Sequence, residues 1–180
     1  MKKLLSVLLV CLLAFSFAAF AEEAAEDASK TVADTTTIEA EGLTGEEGFY
    51  IIVAEDQEEA EAQLTVIEET GADEYFGEAA EAAKEYVATD DLTVYEFMAI
   101  EEGGYDAETM DDLKLHMTFA TPFEEGQKVA VLVGIQNDMG AYDWTTLEAV
   151  GTADGGLDVI MTEEILEALM ANKALLAVVG

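Results

Sequence analysis

Residues 113–135, LKLHMTFATPFEEGQKVAVLVGI, decide how the chain is read. Leu113, Leu115, Met117 and Phe119 alternate with Lys114, His116, Thr118 and Ala120. A period of two places the first set on one face of a strand and the second on the other. Val129, Val131, Val133 and Ile135 then interleave with Ala130, Leu132 and Gly134. Both faces of that run are apolar or small, so it is expected to be covered on both sides. Pro122, the only proline, lies in the turn region between them. The expectation is a central pair of strands lying side by side. The odd positions of the first face the core, and His116 points away from it.

Downstream, a turn at Asn137-Asp138-Met139-Gly140 leads into a strand over 142–150. Asp154-Gly155-Gly156 is a tight-turn signal. Leu157, Val159 and Met161 alternate again. Thr162 then caps a short helix whose buried stripe is Ile165, Leu166, Leu169 and Met170. Residues 174–179 form a last apolar strand. Upstream, 48–54 (GFYIIVA) is a strand apolar on both faces. Asp56 is placed to cap a helix over 57–70, with Ala60, Leu64 and Ile67 on one face and Gly71 at its C-terminal end. A second helix over 77–87 carries Ala79, Ala83 and Tyr86 on one side. Residues 92–100 (LTVYEFMAI) are β-rich by type, and a short strand is expected near 36–40.

The resulting class is α+β. About six strands over 91–180, with turn signals between them and one short helix, suggest an antiparallel β-sandwich domain. A strand–helix–helix segment over 47–90 precedes it. TFATPFEEGQKVAVLVG, followed by the tryptophan strand YDWTTLEAVGTADGGLDVIMT and the final ALLAVVG, resembles the immunoglobulin-like β-sandwich modules of secreted and cell-surface proteins from anaerobic Gram-positive bacteria. The resemblance covers about residues 113–180. It implies an Ig-like sandwich serving as spacer, adhesion unit or ligand-binding platform. It carries over no functional residue.

The chain start has its own signature. Lys2 and Lys3 precede an uncharged apolar run from Leu4 to Phe20. Ala19 and Ala21 occupy the small-residue positions of a cleavage site before Glu22. That is the layout of a secretory signal peptide over 1–21, and it predicts a secreted, extracellular or cell-surface protein. Residues 22–46 are acidic, rich in Ala and Thr and poor in large apolar groups, and are expected to be a disordered leader.

Charge and absences bound the chemistry. The chain has 40 acidic residues against seven lysines and no arginine. Without residues 1–21 it keeps five lysines and all 40 acids, a formal charge of −35. Such a charge repels nucleic acid and anionic membrane surfaces. The same mature stretch has no cysteine, so packing alone stabilises it, and its only serine is Ser29. A Ser or Cys nucleophile with a histidine partner is therefore excluded in practice. No phosphate-binding glycine loop or dinucleotide fingerprint is present. The lone histidine, His116, is expected as a titrating surface group, and the lone tryptophan, Trp144, as a core residue.

Among metals, calcium suits the residue types, since it takes carboxylate and carbonyl oxygens. Candidate clusters are Asn137, Asp138 and Asp143 in one turn and Asp106, Asp111 and Asp112 in another. The expected function is a non-catalytic extracellular binding or structural module, monomeric, with a protein or glycan partner. Calcium binding is the alternative, and a small glycan-active enzyme working through paired carboxylates is the third.

Overall fold

The computed structural model describes residues 31–32, 36–41, 50–104 and 112–180. The strands are β1 (Thr31–Val32), β2 (Thr37–Glu41), β3 (Tyr50–Val53), β4 (Val94–Gly104), β5 (Leu113–Thr118), β6 (Lys128–Gln136), β7 (Tyr142–Gly151), β8 (Leu157–Met161) and β9 (Ala174–Val179). The helices are α1 (Glu58–Thr70), α2 (Ala72–Phe76), α3 (Glu78–Val87) and α4 (Glu163–Ala171). The elements expected from periodicity are present, with bounds displaced by a few residues. The five-residue α2 and the two-residue β1 are additions.

The protein is α+β, but it is not a sandwich. The nine described strands belong to one sheet, in the order β1-β4-β9-β6-β7-β8-β5-β2, with β3 also on β4. Eight of them, β3, β4, β9, β6, β7, β8, β5 and β2, run antiparallel around a nearly closed barrel. β2 and β3 lie side by side at the seam, and no ladder joins them in the described residues. β1 runs parallel beside Glu96 and Phe97 of β4. Alternation in sequence says that one face of a strand is buried. It does not say whether a second sheet or the far wall of the same sheet buries it, and here it is the far wall.

The expected central pair is corrected as well. β5 lies between β2 and β8, and β6 between β7 and β9, so the β7–β8 hairpin separates them. The connection between β5 and β6 is no hairpin. It docks on the far end of β7–β8, where the Phe123 N–H donates to Gly155 O at 2.9 Å and the Gly126 N–H to Gly151 O at 2.8 Å. The nine residues between the strands, carrying Pro122, are too many for a tight turn and enough to cross two strands.

The interior is filled by the inward positions of the strands, among them Leu115, Met117, Val131, Leu157, Val159 and Leu176. Full burial of such side chains contributes roughly 1.5–3 kcal/mol each. Phe119 and Phe123, with ring centroids 5.3 Å apart, pack at one end, where Phe123 also meets Tyr95 of β4 at 5.8 Å. At the other end α4 contributes Ile165, Leu166 and Leu169. Glu163 and Glu164 stand in its first turn, favourable to the helix dipole.

A second apolar cluster lies outside the barrel wall. Ala60, Leu64 and Ile67 of α1 and Ala79, Ala80 and Ala83 of α3 pack on Phe97, Ala130, Leu132, Leu175 and Ala177. This explains why β6 is apolar on both faces: one lines the barrel and the other lies under the helices. Trp144, expected as a core residue, is half-buried and packs against this outer layer. Its ring meets Phe76 at 4.8 Å and Tyr75 at 5.9 Å. Its cross-strand partner is Gly134, where a Cβ would come within 2.8 Å of the indole. Within segment 22–46, β2 is the strand expected near residue 36, and its Ile38 packs on the barrel interior.

Candidate ligand cleft

The barrel end carrying α4 also holds a cleft of about 460 Å³. Its apolar lining includes Ile100 of β4, Leu169 and Met170 of α4 and Leu175 of β9. The polar lining comes from different parts of the chain. Asp56 lies before α1, Glu59 in its first turn, Glu101 and Glu102 on β4, and Lys173 in the turn from α4 to β9. Four acidic residues and one lysine thus contribute to the lining.

Local structure explains these positions. Asp56 accepts a hydrogen bond from the Glu58 N–H at 3.0 Å, so it satisfies the first N–H of α1 from one residue before the N-cap position, which is Gln57 and not Asp56 as its place in the sequence suggested. The Gln57 side chain ties this corner to β4: its Nε2 donates to Ala54 O at 2.6 Å, and its Oε1 accepts from the Ala99 N–H at 2.8 Å. Glu59 accepts from Gln63 Nε2 at 3.0 Å. Tyr142 also lines the cleft. Its hydroxyl is shut off from solvent. Burial, then the negative charge of the neighbouring Glu59 and a hydrogen bond to its carboxylate, pushes its pKa up to about 12.

The residues singled out as metal ligands fall as follows. Asn137, Asp138 and Asp143 share the β6–β7 turn, but Asn137 is spent on the turn itself. Its Oδ1 accepts from the N–H groups of Met139 and Ala141 at 3.0 and 3.1 Å, and its Nδ2 donates to Asp143 Oδ1 at 3.2 Å. Asp112 accepts from the Glu163 N–H at 3.4 Å, at the start of α4. Asp106 and Asp111 lie outside the described residues, as do Ala19, Ala21 and Glu22. Among the described residues, no three His, Cys, Asp or Glu side chains are grouped to hold a metal ion.

His116 faces outward on β5, as expected, but it is not isolated. Asp158 of β8, its cross-strand partner, stands 2.8 Å from Nδ1, and Asp154 of the β7–β8 turn stands 3.2 Å from Nε2. Lys114 pairs with Asp158 at 2.9 Å. A Cβ at Gly156 would come within 2.7 Å of the imidazole, so glycine there makes room for the ring. The hydrogen bond to Asp158 raises the histidine's pKa, partial burial opposes this, and Asp154 adds to it. Asp158 is held below the usual carboxylate range mainly by His116, and Asp154 mainly by the Thr152 hydroxyl and the Gly156 N–H. With a carboxylate at each nitrogen, the ring favours the doubly protonated state and is badly placed to act as a base.

Sequence reasoning missed the cleft because its walls are separated by more than a hundred residues. The residues at its corners, Asp56 and the turn at Lys173, were legible only as helix boundaries.

Fold and site together define an α+β protein: a nearly closed antiparallel barrel, helices on part of its outer wall, and an acid-rimmed cleft at one end. No protein-family model matches the chain, and no curated protein or solved structure matches it either.

Proposed function

We propose that this is a secreted, non-catalytic binding module that takes up a small ligand in the cleft between α1, β4 and the α4–β9 turn. One observation carries the reading: a concave site of about 460 Å³ with an apolar lining and polar groups from several elements. Small-molecule sites span roughly 300–1,000 Å³ and combine these features. The cleft lining holds no histidine, cysteine or serine, so nucleophilic catalysis has no obvious agent there. The leader at residues 1–21 supports export. Among the described residues, no helix is long and apolar enough to cross a membrane.

The test is a fragment screen by backbone NMR, using neutral, anionic and cationic compounds. Saturable shifts are expected at the amides of Ala99, Ala171 and Leu175. If no compound moves them, or if shifts gather elsewhere on the barrel, the cleft is not the binding site. Export is tested by mass spectrometry of the natively secreted protein, which is expected to begin at Glu22. An intact Met1 on that protein would sink the cleavage reading, and absence of the protein from the medium would sink export.

A further inference from the structure

We infer that His116 is a proton-operated latch that holds the β5–β6 connection shut over one end of the barrel. The inference is independent of the cleft, which lies at the opposite end beside α4. It rests on how three segments meet around one imidazole.

The connection, residues 119–127, forms a strap across the end of the β7–β8 hairpin. Backbone hydrogen bonds tie the two together. The Phe123 N–H donates to Gly155 O at 2.9 Å, the Gly126 N–H to Gly151 O at 2.8 Å, and the Gly151 N–H to Gln127 O at 2.8 Å. A Cβ on Gly155 would come within 2.6 Å of the Pro122 ring, so the strap lies directly on the turn. From the strap, Phe119 and Phe123 pack on the barrel interior, and Phe123 meets Tyr95. A movement of the turn is thereby passed to this aromatic plug.

On its other side the turn is held by His116. The ring's Nε2 stands 3.2 Å from Asp154 Oδ2 in the turn, and its Nδ1 stands 2.8 Å from Asp158 Oδ1 on β8. An ionised carboxylate only accepts, so both contacts are hydrogen bonds only while both ring nitrogens carry protons. The neutral ring has one N–H. It keeps that proton on the shorter contact, to Asp158, and turns a lone pair toward Asp154. Deprotonation thus makes the link from β5 to the turn repulsive and leaves the link from β5 to β8 in place. The other charged groups around the ring are Lys114, which pairs with Asp158 at 2.9 Å, and Glu39, opposite on β2. Glu124 and Glu125 on the strap are exposed and add negative charge at the same end. The acids favour the charged ring and Lys114 opposes it. His116 is the only histidine, so no other side chain has its ordinary titration between about pH 5 and 8. Its pKa is raised above the usual histidine value. The latch is therefore closed in mildly acid medium and opens as pH rises through the raised value.

Amide hydrogen exchange by NMR, with intrinsic rates divided out, tests this at about pH 5.5 and about pH 8.5. The reporters are Phe123 and Gly126, whose N–H groups bond the strap to the hairpin. The reference is Gln136, whose N–H donates to Lys173 O at 2.9 Å at the α4 end. On raising pH, protection of the reporters is expected to fall about two- to fivefold more than that of the reference, the range for a partly exposed ion pair. His116→Gln is expected to abolish this extra fall. Asp154→Ala is expected to leave the reporters weakly protected at both pH values, while the imidazole still titrates. An equal fall at Gln136 overturns the latch, because the change is then global. An extra fall that survives in His116→Gln assigns it to another group and overturns it too. So does an Asp154→Ala variant with the parent's pH response, since the turn is then not the link.

Discussion

His116 shows what one side chain contributes when its neighbours come from other strands. The groups facing it are Asp158 on β8, Asp154 in the β7–β8 turn, Lys114 two residues earlier and Glu39 opposite on β2. Its raised pKa means that the folded state binds the proton more tightly than the unfolded chain does. That stabilisation is complete below the ordinary histidine value of about 6.5 and is lost as pH rises through the raised value. The lowered pKa values of Asp154 and Asp158 act in the opposite sense. Their contribution is present above about pH 4 and is lost as pH falls through the lowered values. The cluster therefore stabilises most between about pH 4 and 6.5. The difference in Tm between the parent and His116→Gln should be largest near pH 5–6 and shrink by pH 9. A difference that stays constant across that range would show that the imidazole contributes by packing and not by charge. Two tyrosines give a second contrast. The Tyr86 hydroxyl donates to Ala149 O at 3.2 Å, whereas the buried Tyr142 hydroxyl stands beside the Glu59 carboxylate. Tyr86→Phe should cost about 1 kcal/mol in urea unfolding, and Tyr142→Phe should cost less, because removing its hydroxyl also relieves the burial of a polar group. A larger loss for Tyr142→Phe would mean that its hydrogen bond to Glu59 is the stronger of the two.

At the scale of elements, the contact between helices and barrel depends on small residues meeting large ones. The alanines of α3 bring it close to β6 and β7, and Thr146 Oγ1 donates to Ala79 O at 2.8 Å across that contact. Gly134 leaves the space that Trp144 occupies. Gly134→Val should force the indole outward, cost about 1–3 kcal/mol as overpacking does, and red-shift the tryptophan emission. An unshifted spectrum with unchanged stability would place the indole elsewhere. The alternation in 113–119 and the double-sided apolarity of 129–135 were read correctly as faces. Their partners were not. Local periodicity says which way a side chain points, and nothing within 113–135 says that residues 142–161 will fold back between the two strands. The same limit applies to His116, whose carboxylate partners lie 42 and 38 positions further along the chain. The Asn137 turn shows the converse: one residue of a cluster that looked like oxygen ligands spends its side-chain oxygen on the turn's own backbone.

For the whole molecule, charge is the dominant background. With 40 acids and seven lysines, the compact state repels itself, and salt should relieve this. Raising sodium chloride from 10 mM to 300 mM at pH 7 should raise Tm by several degrees, and calcium chloride at matched ionic strength should do no more. A much larger, saturable calcium effect would revive a specific calcium site. Lowering pH from 7 to 6 should also raise Tm. His116→Gln should lose most of this rise, because the folded state binds a proton at the imidazole more tightly than the unfolded chain does.

By itself, the sequence settled the α+β class, most of the strands and helices, and the inward positions. These follow from side-chain period and residue type, both local quantities. Only the tertiary structure decided that the strands roll into one nearly closed barrel, that β5 and β6 stand apart, that two aspartates hold His116, and that an acid-rimmed cleft opens beside α4. Each of these depends on which distant segments meet. That choice is made by packing the whole apolar surface at once, and no window of the chain contains it. Residues 113–135 supply two walls of the barrel; the β7–β8 hairpin between them determines where those walls stand.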